Sequence, residues 1–119
     1  MNKKIIDMNH GAGGRQSANL LKDIIIPLLG NQYLNQLTDG AILPSVKGRL
    51  VMTTDSHVVS PRFFPGGSLG KLAFCGSVND LAVMGARPLY LSLGLIIEEG
   101  LTQEELISHL EEIRALSQQ

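Results

Sequence analysis

The run FCGSVNDLAVMGARP, Phe74 to Pro88, constrains the fold more than any other part of the chain. From Ser68 to Gly85 the residues read as one helix, with Ser68 as its N-cap and Gly85 as its stop. At about 100° per residue, Leu72, Gly76, Asn79 and Val83 form one stripe, with Ala73, Asp80 and Met84 beside it. Phe74, Val78 and Leu81 take the opposite side, so the helix is apolar nearly all round. Such a helix is expected to be buried over most of its surface, where an unpaired carboxylate costs several kcal/mol. Asp80 therefore needs a partner. Lys71 lies on another face of the helix and Arg87 lies past its end, which makes a bound metal ion or ligand a candidate. Gly76, one turn before Asn79 and Asp80, is flanked by Ala73 and Ser77 and leaves a shallow notch. The structural alternative has Asp80 capping a neighbouring backbone segment and Asn79 bonding a loop carbonyl.

The rest of the chain sets the context for that helix. With 119 residues and 44% hydrophobic side chains there is material for one domain with a core, and not for two. Ser17 to Leu29 has helical spacing in Leu20, Leu21, Ile24 and Leu28, with Pro27 expected to end or kink the last turn and Gly30 to stop it. GRLVMTTDSHVV alternates and is rich in β-branched residues, which predicts a strand ending near Asp55. PRFFPGG is expected to be loop, and PLYLSLGLII a second, well-buried strand. In GLTQEELISHLEEIRALSQQ, Thr102 and Glu105 have the spacing of a capping box, and Leu106, Ile107, Leu110, Ile113 and Leu116 share a face. No stop signal follows that helix, which we read as a chain cut from a longer one. The expected order is helix, strand, loop, helix, strand, helix: an α/β or α+β domain.

Charge and cysteine usage exclude several classes. A net charge of −1 offers no footprint for nucleic acid and no polybasic segment for a membrane surface. The most apolar windows are broken by Asp23, Pro27 or Glu98 before membrane-spanning length, and the N-terminus lacks the apolar core of a signal peptide. Cys75 is the lone cysteine, so no disulfide forms within one chain and a reduced, cytoplasmic setting is expected. Its place between Phe74 and Gly76 reads as packing.

A second acid, Asp55, stands at a strand end, where α/β folds place ligands; by itself it also suits a turn in TDS. With Asp80 it would make an oxygen-rich site for a hard cation such as magnesium, completed by waters and substrate phosphates. Neither glycine-rich loop meets a nucleotide-binding pattern. FPGGSLGKL has three residues between Gly66 and Gly70 and Leu72 where a Walker motif needs Ser or Thr. HGAGGRQ has Gln16 where the dinucleotide fingerprint needs its third glycine. Either loop can still offer backbone amides to an anion. His10, His57 and His109 show no metal-ligand spacing and are expected in ordinary surface or partly buried roles.

Beyond spacing, the chain resembles the N-terminal part of the HypE family of hydrogenase maturation proteins, in the superfamily of aminoimidazole ribonucleotide (AIR) synthetase, PurM. The resemblance is carried by HGAGG at 10 to 14, TDSHVVSPRFFPGGSLGKLAFCGSVNDLAVMGARPLYLS at 54 to 92, and EEGL at 98 to 101. It implies a PurM-like N-terminal domain over residues 1–119, with a mixed, mainly antiparallel sheet, helices on one face, and sheets pairing into a β-barrel in a homodimer. It implies an ATP-dependent carbamoyl dehydratase, which turns a carboxamide carried on its own C-terminal cysteine into a thiocyanate and so supplies cyanide for nickel-iron hydrogenases. ATP and Mg²⁺ are the implied cofactors, and a HypF-like carbamoyl transferase and a HypC/HypD-like scaffold the implied partners. On this resemblance Asp80 matches the acid that handles magnesium-ATP, accompanied by Asn79, and Asp55 matches the other N-terminal acid of the nucleotide site. Gly13 and Gly14 of HGAGG match a segment lying against the phosphates, and Lys71 matches the lysine of GKLA. No catalytic residue is assigned, and the carrier cysteine and C-terminal domain are expected to be missing, leaving this piece inactive alone. Other readings are another ATP-using member of the superfamily, of the selenophosphate synthetase or thiamine phosphate kinase type, or a non-catalytic dimerisation or docking module.

Overall fold

The computed structural model describes residues 2–119. Asp7 caps a 3₁₀ turn at Met8–Gly11, and after the Gly13–Gly14 bend the chain enters α1 (Arg15–Leu20). The same helix then widens into a π turn at Leu21–Ile25 and resumes as α2 (Ile26–Leu29). The cause is Pro27, which has no N–H to offer the carbonyl one turn back, and a π turn is a usual way to absorb such a break. The helix is thus irregular before Pro27, runs two residues beyond it, and stops at Gly30 as expected. A Cβ on Gly30 would collide with the Ile26 carbonyl and come within 2.7 Å of Asn35 Oδ1, so close approach is what requires glycine there.

PRFFPGG forms structure rather than loop. β1 (Phe63–Phe64) pairs antiparallel with β2 (Gly67–Ser68), with Phe63 opposite Ser68 and Phe64 opposite Gly67. Pro65 and Gly66 make the turn, and Gly66 has φ +86°, a conformation that other L-residues resist. The signal was present in the Pro65-Gly66 pair directly after two β-forming phenylalanines.

From this hairpin the chain enters α3 (Leu69–Val83), where the Ser68 hydroxyl accepts from Lys71 N. At its far end Gly85 (φ +68°) donates to the Ala82 carbonyl and Ala86 to the Leu81 carbonyl, a Schellman stop. α4 (Gln103–Ser117) begins at Thr102, whose hydroxyl accepts from Glu105 N at 3.2 Å. Only that half of the capping box forms, because the Glu105 carboxylate is turned to Arg62.

The core lies between the N-terminal helix and α4. Ile6, Ile24, Ile25, Leu106 and Leu110 form it, with Leu93, Ile97 and Leu101 packed against them. Ile6 donates to the Leu101 carbonyl and Gly100 to the Ile6 carbonyl, which fastens the N-terminus beside the start of α4. α3 joins α4 through Gly70, the one residue of that helix that is buried. The rest of α3 is half-buried or exposed, so the expectation of a helix buried nearly all round does not hold within one chain.

The two expected strands differ most from expectation. Residues 49–59 and 88–97 carry no ladder hydrogen bonds; the one sheet among the described residues is the β1–β2 pair. Leu89, Tyr90, Leu91, Leu95 and Ile96 are exposed, so the second segment is not well buried. Leu93 and Ile97 do reach the core, but Leu95 between them is exposed, so the segment does not bury one face at a period of two. Among the described residues no helix is long and apolar enough to cross a membrane.

Candidate functional site

The extended segment that carries Asp55 is joined along one seam to α3, the helix that carries Asp80, through Thr53 and His57. Residues 53, 55 and 57 alternate, so in an extended chain their side chains share one face. Thr53 Oγ1 donates to Asp80 Oδ2 at 3.3 Å. His57 Nε2 lies 3.4 Å from Asp55 Oδ2, with the imidazole 13% exposed and the carboxylate 48%. The notch at Gly76 is filled by that imidazole: a Cβ on Gly76 would collide with Nε2 and crowd Cε1 and Cδ2 at 3.3 and 3.4 Å.

Asp80 therefore has a protein partner, the neutral hydroxyl of Thr53 rather than a cation. The helix is less buried than its composition predicted, and one hydroxyl meets part of the carboxylate's need. Of about four lone-pair directions on a carboxylate, Thr53 uses one. Asp55 accepts from Ser56 N at 2.8 Å and is otherwise open on one side. Among the described residues no three His, Cys, Asp or Glu gather as a metal cage. Two partly free carboxylates do suit a magnesium ion that keeps its waters and takes phosphate oxygens, which needs only one or two acids from the protein.

The other expected residues lie apart from this seam. Asn79 is exposed and has no hydrogen-bond partner among the described residues. Lys71 donates to the Gly66 carbonyl at 3.3 Å, bracing the hairpin turn, nine residues and about 13 Å along the helix from Asp80. Gly13 has φ +75° and donates to Ser17 Oγ, which in turn donates to the His10 carbonyl. Gly14 caps α1, and space is open beside Gly11, Gly13 and Gly14. No hydrogen bond or ion pair joins this loop to Asp55 or Asp80 among the described residues.

The histidines are less ordinary than their spacing suggested. His109 is buried, stacked on Phe63 with ring centres 4.5 Å apart, and its Nδ1 accepts from Gly70 N. His10 packs against Asp7, and the contact holds the Asp7 carboxyl below its ordinary range. Only His57 touches a candidate acid. Its even spacing from Asp55 and Thr53 was the available signal.

Residues 37–118 match the family described as AIR synthase related protein, N-terminal domain. The chain belongs to this family. Among its AIR synthase related relatives, the carbamoyl dehydratase HypE of Azotobacter vinelandii is 44% identical over 96% of this chain and 33% of its own length. HypE of Escherichia coli strain K12 is 44% identical over 85% of the chain and 32% of its own. A putative hydrogenase expression/formation protein of Methanocaldococcus jannaschii is 47% identical over 92% of the chain and 35% of its own. The chain spans about a third of the length of these relatives. In structure it is similar to the hydrogenase maturation protein HypE crystallised in complex with ATP, with a TM-score of 0.89 at 42% identity over 94% of this chain and 33% of the other. The PurM-like fold that the resemblance implied is therefore shown, and within the family the chain sits with HypE proteins.

Proposed function

We propose that this chain is the nucleotide-handling N-terminal domain of a HypE-like carbamoyl dehydratase, a cytoplasmic, homodimeric enzyme in nickel-iron hydrogenase maturation. The observation that carries the reading is the seam itself: Asp55 and Asp80, distant in sequence, each pair with a side chain of the extended segment that contacts α3, within a backbone similar to that of a HypE–ATP complex. In this reading the two acids hold Mg²⁺ with the polyphosphate, and the cation supplies charge neutralisation there. Thr53 orients Asp80, and the open glycines of HGAGG leave backbone amides accessible to phosphate oxygens. The carboxamide-bearing cysteine, the dehydration to thiocyanate, and docking of HypF-like and HypC/HypD-like partners belong to the full-length enzyme. A purely structural module would saturate Asp80 with protein donors; a single hydroxyl at 3.3 Å leaves it able to take a ligand.

In the full-length enzyme containing this segment, Asp80→Asn is expected to reduce magnesium-dependent ATP hydrolysis by about two orders of magnitude, the scale of losing one fixed electrostatic group at a transferring site. Subunit association, measured by light scattering, should be unchanged. Full ATPase activity in that variant would overturn the assignment.

A further inference from the structure

Two side chains on one extended segment reach α3 in register, Thr53 at Asp80 and His57 at Gly76, and Asp55 lies between them in sequence. The segment and the helix run in opposite directions across this contact. Asp80 is fastened directly by a hydroxyl, whereas Asp55, among the described residues, has hydrogen-bond and ion-pair partners in Ser56 N and His57 Nε2 alone and none on α3. The imidazole is itself fixed, being largely buried and seated where only glycine leaves room. One nitrogen thus lies between the Gly76 backbone and the Asp55 carboxylate. We propose that His57 is a positioning residue which, by seating in the Gly76 notch, holds the Asp55 carboxylate on the Asp80 side of the seam so that both acids serve one divalent cation. Phe at 57 could fill the notch, but it would lack the nitrogen.

The inference rests on the reading of Asp55 and Asp80 as a shared cation site, and the variants separate the two. Without metal or nucleotide, Asp55→Asn should move the His57 ring resonances in the NMR spectrum of the chain; unmoved resonances overturn the positioning role. With Mn²⁺ and ATP as the probe, paramagnetic broadening should centre on residues 55 and 80. His57→Phe should weaken that broadening and raise the Mn²⁺ dissociation constant about tenfold, the loss found when a partner orienting a ligand is removed. It should leave the melting temperature close to that of the parent. His57→Gln should recover part of the affinity. Gly76→Ala should lower both the melting temperature and the affinity, and adding His57→Ala should restore the first and not the second. Wild-type affinity in His57→Phe, with Asp55→Asn impaired, overturns the positioning role alone. Wild-type affinity in Asp55→Asn overturns both readings.

Discussion

Gly70 shows how one missing methyl sets the distance between two helices. A Cβ there would lie 2.7 Å from the His109 carbonyl oxygen and 3.1 Å from His109 Cα, both backbone atoms that cannot swing aside. Helix propensity alone favours alanine at this position by about 1 kcal/mol. Overpacking against backbone costs about 1–3 kcal/mol, and the clash wins because α3 has no other buried residue on which to pivot. Gly70→Ala should therefore lower the thermal midpoint by several degrees. Gly40→Ala, at a glycine with open space around it, should be neutral or slightly stabilising. Equal melting curves for the two variants would show that α3 can slide on α4 without cost.

At the scale of elements, α4 is the post to which the hairpin is tied. Glu105 accepts from Arg62, Glu112 accepts from the Ser68 hydroxyl, and His109 stacks on Phe63. The Arg62 hydrogen bond, ahead of its charge and of His109, holds the Glu105 carboxyl below its ordinary range. A carboxyl depressed in the folded chain stabilises it above the ordinary glutamate value of about 4.3, and that contribution fades as pH falls through the lower folded value. Glu105→Gln should thus flatten part of the stability lost below about pH 4.3, read from urea midpoints across the acid range. Asp7, depressed by its hydrogen bond with His10, acts in the same direction. An acid limb as steep as the parent's would remove Glu105 from the account. This diversion of Glu105 also marks what the sequence could convey. The caps at Ser68, Thr102 and Gly85 and the Leu106–Ile113 face were legible because their signals are local. Arg62 lies 43 residues from Glu105 and Thr53 lies 27 from Asp80, so no periodicity reports either pair. Asp55 and Asp80 were legible as candidates through motif resemblance, while the residues that hold them, Thr53 and His57, emerged only when the chain was folded. A strand ending near Asp55 was read from alternation and β-branched residues, and a second from the apolar run PLYLSLGLII, but strandedness is a property of a pair, and neither finds its ladder among the described residues.

The whole molecule carries the same mismatch as a surplus of surface. Its accessible area is 9293 Å², against about 6,300 Å² for a folded monomer of 12.8 kDa. The radius of gyration is 15.6 Å, where about 13.5 Å is usual for this length, and the shape is a slab of 52 × 37 × 21 Å. Buried between two copies, an excess of about 3,000 Å² per chain would come to about 6,000 Å² in total, at the upper end of what obligate partners bury. Much of it is apolar side chain on the extended segments: Met52 is 90% exposed, Val58 92%, and Leu50, Ile42 and Ile96 also face outward. Two such segments with unpaired backbone offer a template, and pairing with the same segments of a second copy would cover the side chains and complete the ladders together. We expect the chain to be a homodimer at tens of micromolar by light scattering, with a melting temperature that rises with protein concentration. Met52→Glu together with Ile96→Glu should give monomer, because both charges would have to enter the covered face without partners. A wild-type chain that stays monomeric, with melting independent of concentration, would mean that the exposed segments do not pair between copies.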